Sequence, residues 1–349
     1  RTCANHQRRI GESPQMKLLM ENFRKFIKEE EEQQEFAQMD KDTNIGNIKA
    51  EELWRQLMSG QETPLYNAMK NATHWSADTI GPPEQVKQVF EAIGEKDFIA
   101  RVRKVQELIG QVNVAKFDMP ALEGGDTAAV IDALSDTGGE LGWAVDLSSN
   151  WANTIEDFGK WWLALPDSIR QMFEAGSVPS MEQIQQASQQ NVSEDKFPRF
   201  GRGPFPGAPE VDDETDINPS NIKGAALAFL TKGMLDGAKG DHVDVTQKAS
   251  LANSKMIPTQ SNILAAKSLL FAYNNPEKQI KNMGNAFLTP DGKILDGHHR
   301  WSGALIGTGG SLVHDGINIV NAPAEAVIPL LVTIGNAIGR LQKGPEESD

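Results

Sequence analysis

The sequence predicts an α+β protein, mainly α-helical over its first part and closing with a small α/β domain. Three observations predict it. Apolar residues recur at intervals of three and four through much of 15–190, the spacing of one helix face. Residues 191–220 then change character, holding Pro198, Pro204, Pro206, Pro209 and Pro219 with Gly201, Gly203 and Gly207, which is linker chemistry. After that, short apolar runs alternate with helical stretches, the pattern of a compact α/β or α+β unit. The expected division is an acidic helical region over 1–190, a Pro/Gly-rich acidic linker over 191–220 and a folded domain over 221–349.

In chain order, Leu18, Leu19, Phe23, Phe26 and Ile27 form one stripe of a helix over 15–39. The acidic run Glu29–Glu32 that follows reads as a solvated helix face. Helices are expected over 50–58 and 63–72, separated by Ser59-Gly60, with Trp54, Leu57 and Tyr66 as core. Gly81-Pro82-Pro83 is a break, and a proline suits the first turn of the helix that follows. That helix carries Val86, Val89, Phe90 and Ile93. Gly94 ends it, and 96–109 forms the next with Phe98, Ile99, Val102, Val105 and Leu108. Asp126 is placed to cap a helix carrying Val130, Ile131 and Leu134. The stretches 140–151 and 155–165 carry Trp143, Trp151, Trp161 and Trp162, a helical aromatic set suited to a core or to a partner helix. Ser180-Met181-Glu182-Gln183 marks another helix start.

In the last part, helices are expected over 223–235 and from Ser261 or Asn262 to Tyr273, with Ile263, Leu264, Leu269 and Leu270 inward. Strands are expected over 241–245 and 316–320. A final helix over 323–338 is expected to bend or break at Pro329.

Charge is unevenly placed. The formal net charge is −14 over 349 residues. Through residue 220, Lys and Arg number 22 against 37 Asp and Glu, or −15; from 221 onward they number 12 against 11, or +1. The first part repels a nucleic-acid backbone, so nucleic acid is not an expected partner. The last part suits a local anion site. The single cysteine, Cys3, excludes an intramolecular disulfide framework and cysteine-based metal clusters, so neither Fe–S nor structural zinc is expected. No run approaches the roughly 20 apolar residues of a bilayer span. The most apolar window, 322–338, is interrupted by Glu325, Pro329 and Gly335. The expected setting is soluble and cytoplasmic, away from membranes.

The chemistry concentrates in 284–307. Residues 286–289 are apolar, Pro290-Asp291-Gly292 is a turn signal, and 293–295 is a second apolar run ending in Asp296-Gly297-His298-His299-Arg300-Trp301. Trp301, Ala304 and Leu305 then recur at helical spacing. The reading is strand, turn, strand and a helix whose first turn is 297–300. The first N–H groups of a helix lack intrahelical partners and carry partial positive charge. A glycine there lets a ligand approach, and an arginine adds a fork of donors suited to phosphate. An anion is the expected guest.

Asp296-Gly297-His298-His299-Arg300, preceded by the two-strand turn, resembles the D-G-H-H-R motif of the ParB/sulfiredoxin-like superfamily. Ile257-Pro258-Thr259-Gln260-Ser261-Asn262-Ile263 with Lys267 resembles the P-T-Q-x-x-I…K box of ParB-like domains, many of them in phages. The likeness covers the last third of the chain.

It implies one nucleotide or phosphate pocket. Gly297, His298 and Arg300 would form its lip, and Pro258, Thr259, Gln260 and Ser261 would approach from a facing loop. Lys267 would be a second cation. His299 is the expected base or donor. Asp296 is expected to fix an imidazole tautomer or to hold Mg²⁺ with phosphate oxygens. ATP or another nucleotide with Mg²⁺ is the implied cofactor. His298, His299, His314, Asp315 and Asp296 offer metal-ligand chemistry, but adjacent histidines rarely chelate one ion, so no dedicated metal site is expected.

The sequence departs from the family in places. Sulfiredoxins carry a cysteine where His298 stands, so sulfinic-acid reduction is not expected. The arginine-rich boxes of the DNA-sliding CTPases are absent, and no acidic base of the related kinases is identifiable. The leading expectation is a protein that binds a nucleotide or phosphorylated small molecule, with phosphate hydrolysis or transfer as its possible chemistry. A non-catalytic, phage-associated structural or interaction protein is the alternative, docking through its N-terminal helical region in a host cytoplasm. A ParB-like DNA-binding protein or nuclease is the third.

Overall fold

The computed structural model describes residues 43–71, 80–113, 149–174, 181–188, 226–227, 229–231, 242–273 and 286–338. The helix expected over 15–39, the loop and helix over 122–139 and the linker over 191–220 lie outside them.

A 3-10 turn, Ile45–Asn47, leads into α1 (Ala50–Met58), α2 (Pro64–Lys70), α3 (Pro83–Ile93) and α4 (Glu95–Gly110). Local chemistry sets their ends. Pro64 opens α2, and the hydroxyl of Thr63 accepts the Tyr66 N–H at 3.2 Å, joining a proline first turn to a side-chain cap. Pro83 opens α3. Gly94, at φ 82°, ends α3 and begins α4, a positive dihedral that glycine adopts freely.

α5 (Ser149–Ala164) runs through the gap expected between 151 and 155. Ala152, Asn153 and Thr154 contain neither Gly nor Pro, and nothing in them stops a helix whose Ile155, Phe158 and Trp162 are buried. α6 (Asp167–Glu174) and α7 (Met181–Ser188) follow.

The sheet has four strands in the order β1-β4-β2-β3, where β1 is Val245–Ala252, β2 Phe287–Leu288, β3 Ile294–Asp296 and β4 Val313–Val320. β1 and β3 run antiparallel to their neighbours, while β2 and β4 are parallel. The strand expected over 241–245 is corrected: β1 begins where it was to end. Its pairing with β4 shifts register twice, between Thr246 and Ala249 and between Ala249 and Leu251. Such shifts scramble the alternation that would mark the strand in sequence.

α8 (Ala265–Tyr273) precedes β2, α9 (His298–Thr308) joins β3 to β4, and α10 (Ala324–Ala337) follows β4. α10 contains Pro329 without breaking. One backbone bond is lost there, but Val327, Leu330 and Ile334 are sealed in the core on either side, and that burial outweighs the roughly 3 kcal/mol a helical proline costs.

Strand alternation sends side chains to both faces of the sheet. Leu288 and Ile294 join a cluster with Leu53, Phe90, Phe98, Leu269 and Trp301, from α1, α3, α4, α8 and α9. Phe287 and Leu295 join a second with Phe158, Trp162, Phe229 and Leu330. In that second cluster the rings of Phe158 and Phe229 stack at 4.3 Å. The sheet is thus the middle of three layers. The helices before the expected linker share their core with the helices after it. The Ile45 N–H donates to the Ile263 carbonyl at 2.7 Å, and the Ala265 N–H to the Thr43 carbonyl at 2.9 Å. Among the described residues, no helix is long and apolar enough to cross a membrane.

Candidate functional site at the first turn of α9

The site is built on the hairpin that the turn signal predicts. Gly292 stands at φ 84° and its N–H donates to the Thr289 carbonyl at 2.9 Å. The segment before α8 is tied to this hairpin: the Ile257 N–H donates to the Gly292 carbonyl at 2.9 Å, and the Ile294 N–H to the Ile257 carbonyl at 2.8 Å. This pairing carries the Pro258-Thr259-Gln260-Ser261 box to the start of α9.

Gly297 occupies the N-cap of α9 at φ 109°, with no side-chain cap bond. A Cβ there would meet Ala286 Cβ at 3.2 Å. Backbone conformation and the packing of Ala286, the residue before β2, therefore require the glycine.

The two histidines both reach the facing loop. His298 is 3% exposed, and its Nε2 accepts the Thr259 N–H at 3.1 Å. The Thr259 hydroxyl donates to the Ile294 carbonyl at 2.6 Å, so its 3.3 Å approach to the same Nε2 carries no proton. His299 Nε2 accepts the Leu264 N–H at 3.0 Å. An amide N–H can only donate, so both rings hold their proton on Nδ1 while these bonds last. His299 Nε2, the basic nitrogen, is thus occupied by Leu264, and what the ring can offer a ligand is the Nδ1–H as a donor.

Asp296 and Arg300 sit beside them, each side chain 15% exposed, with Arg300 Nη2 at 3.4 Å from Asp296 Oδ2. The guanidinium therefore has an intramolecular anion at the place where the sequence expects a phosphate. The two positions flank Gly297 and frame the amides of the first turn.

The facing box is brought close in part. Thr259 bonds the motif directly, and Pro258 is buried next to it. Gln260 turns back on its own loop, its Nε2 donating to the Asn262 carbonyl at 2.6 Å. The Ser261 carbonyl accepts from Asn44 Nδ2 at 3.3 Å. Lys267 is the third residue of α8, half-buried.

Two residues that the motif does not contain stand behind it. His314, at the start of β4, is fully buried, and its Nε2 lies 2.7 Å from Asn253 Oδ1. Asn253 Nδ2 donates to the Trp301 carbonyl at 3.2 Å. Burial, then the nearby charge of Arg300, lowers the imidazole from its usual range to about 4, against the opposing pull of Asp315. The sequence showed His314 only as one histidine among several.

The Asp296 carboxylate lies against Arg300. Among the described residues, no group of three or more His, Cys, Asp or Glu side chains is arranged to hold an ion. Comparison with protein-family models, curated proteins and solved structures finds no match for this chain.

Proposed function

We propose that the chain binds a nucleotide or another phosphorylated small molecule at the first turn of α9, with Arg300 as its principal cation. The observation that carries this reading is the placing of the Arg300 guanidinium, 3.4 Å from the Asp296 carboxylate, at a helix N-terminus that has no side-chain cap. That hydrogen bond is longer than the usual charge-assisted one. A phosphate at the same place would offer paired oxygens in the geometry guanidinium prefers, together with the dipole of α9. Asp296 then acts as a stand-in anion that the ligand displaces. Mg²⁺ arriving with a nucleotide would find in Asp296, once released, the one carboxylate of the 296–300 motif.

Hydrolysis or transfer of the phosphate is the finer version of this reading. It assigns to His299 Nδ1–H the donation of a proton to the leaving oxygen, because Nε2 is engaged by Leu264.

A second reading has its own support. His298 and His299 both bond the 257–264 segment, as a purely structural clasp would, and this favours a non-catalytic interaction protein. Isothermal titration with ATP, CTP, GTP and ADP, with and without Mg²⁺, separates the two. Binding that Arg300→Ala abolishes supports the ligand site. Absence of binding by all four, with unchanged assembly state in motif variants, supports the clasp.

A further inference from the structure

We propose that His314 is a further ligand-binding residue of the α9 site, its Nδ1 accepting a hydrogen bond from a hydroxyl of a phosphorylated polyhydroxy compound. The inference rests on the phosphate reading above and names the class of ligand.

Three observations on geometry carry it. Asn253 Nδ2 donates to the Trp301 carbonyl at 3.2 Å, which turns Asn253 Oδ1 toward His314. The 2.7 Å contact therefore has His314 Nε2–H as donor and Asn253 Oδ1 as acceptor, and Nδ1 is a bare lone pair. That Nδ1 is buried and has no hydrogen-bond partner, although His314 is wholly buried. An unmet buried acceptor is unfavourable until a donor arrives.

The topology places this lone pair at the right end of the sheet. Asp296 and Asn318 are both level with Phe287. β3 runs antiparallel to β2, so the chain beyond Asp296 heads past the N-terminal end of β2. His314 lies four residues before Asn318 on β4, toward that same end. Asn253 ties it to Trp301, the residue next to Arg300. Arg300 is near enough for its charge to disfavour protonation of the ring.

The chemistry of the partner follows. A lone pair repels ionised phosphate oxygens, and a phosphate held on the first turn of α9 keeps its own P–OH there; with Nε2–H given to Asn253, the ring has no proton to offer them. The group that satisfies Nδ1 must bring its own proton, as a sugar hydroxyl does. Nδ1 is wholly enclosed, so entry of that hydroxyl requires the wall around it to open as the phosphate is captured.

Titration of the full chain with inorganic phosphate and with ribose 5-phosphate, near neutral pH, tests the assignment. One added hydrogen bond predicts about tenfold tighter binding of ribose 5-phosphate. His314→Phe should bring the two affinities together while inorganic phosphate binds as before. Nitrogen-15 spectra of the unmodified protein decide the matter even where that variant does not fold. The His314 Nδ1 resonance should shift with ribose 5-phosphate and stay in place with inorganic phosphate. A preference that survives His314→Phe, or an Nδ1 resonance that ignores ribose 5-phosphate at saturation, overturns the inference alone and leaves Nδ1 to a buried water. Failure of both probes to bind, or undiminished binding of both by Arg300→Ala, overturns the phosphate reading with it.

Discussion

The Leu264 N–H donates to His299 Nε2 at 3.0 Å. The neighbouring ring, His298, receives the Thr259 N–H. Consecutive helical side chains point about 100° apart, yet both meet one segment because residues 259–264 wrap around the start of α9. The pair of histidines thereby fixes the loop against the helix.

Removing either ring leaves a part-buried amide without its acceptor. His298→Ala and His299→Ala should each destabilise the fold by about 1–3 kcal/mol. Denaturant unfolding measures the loss. Amide hydrogen exchange should localise it, quickening at Thr259 in the first variant and at Leu264 in the second.

Stability should fall in mild acid because of His314. Its folded-state value of about 4 lies below the ordinary unfolded value of about 6.5, so the unfolded chain binds more protons between them. The contribution is fully present above about 6.5 and is lost as pH falls toward 4, by up to about 3 kcal/mol. Unfolding curves across that window should show the slope, and His314→Phe should flatten it.

Arg101 of α4 closes the other end of α9. Its Nη1 donates to the carbonyls of Ile306 and Gly307 at 3.0 Å each, where the helix dipole is negative. Arg101→Met should cost about 1–2 kcal/mol and lower the melting temperature. Calorimetry checks it.

Helices α8 and α9 touch at Gly303. A Cβ there would stand 2.4 Å from Phe271 Cβ and 2.5 Å from the Ser268 carbonyl oxygen. Both neighbours are close to the backbone and have little room to yield. Gly303→Ala should destabilise by about 1–3 kcal/mol. Gly110→Ala, where nothing lies within 4 Å of the new methyl, is the control and should change unfolding by less than about 1 kcal/mol.

Much of this fold is legible where the signal is local. Thr63-Pro64 and Pro83 announce α2 and α3, and Pro290-Asp291-Gly292 announces the hairpin, because proline and glycine act on their own dihedrals. The mixed helix and sheet character follows from the same marks. β1 is not legible, since its register shifts erase alternation. The partners of the site are not legible either. Asn44 Oδ1 accepts the Ile263 N–H from 219 residues away, and His314 meets Asn253 across 61. No periodicity encodes a single polar pair that tertiary packing brings together.

The central claim is that phosphate oxygens settle on the first turn of α9. Titrating inorganic phosphate into the nitrogen-15 labelled chain tests it most directly, read at the backbone amides of His298, His299 and Arg300. Saturable shifts at those amides, absent in Arg300→Ala, are the predicted result. Amides that stay in place while phosphate reaches high millimolar concentration would contradict it.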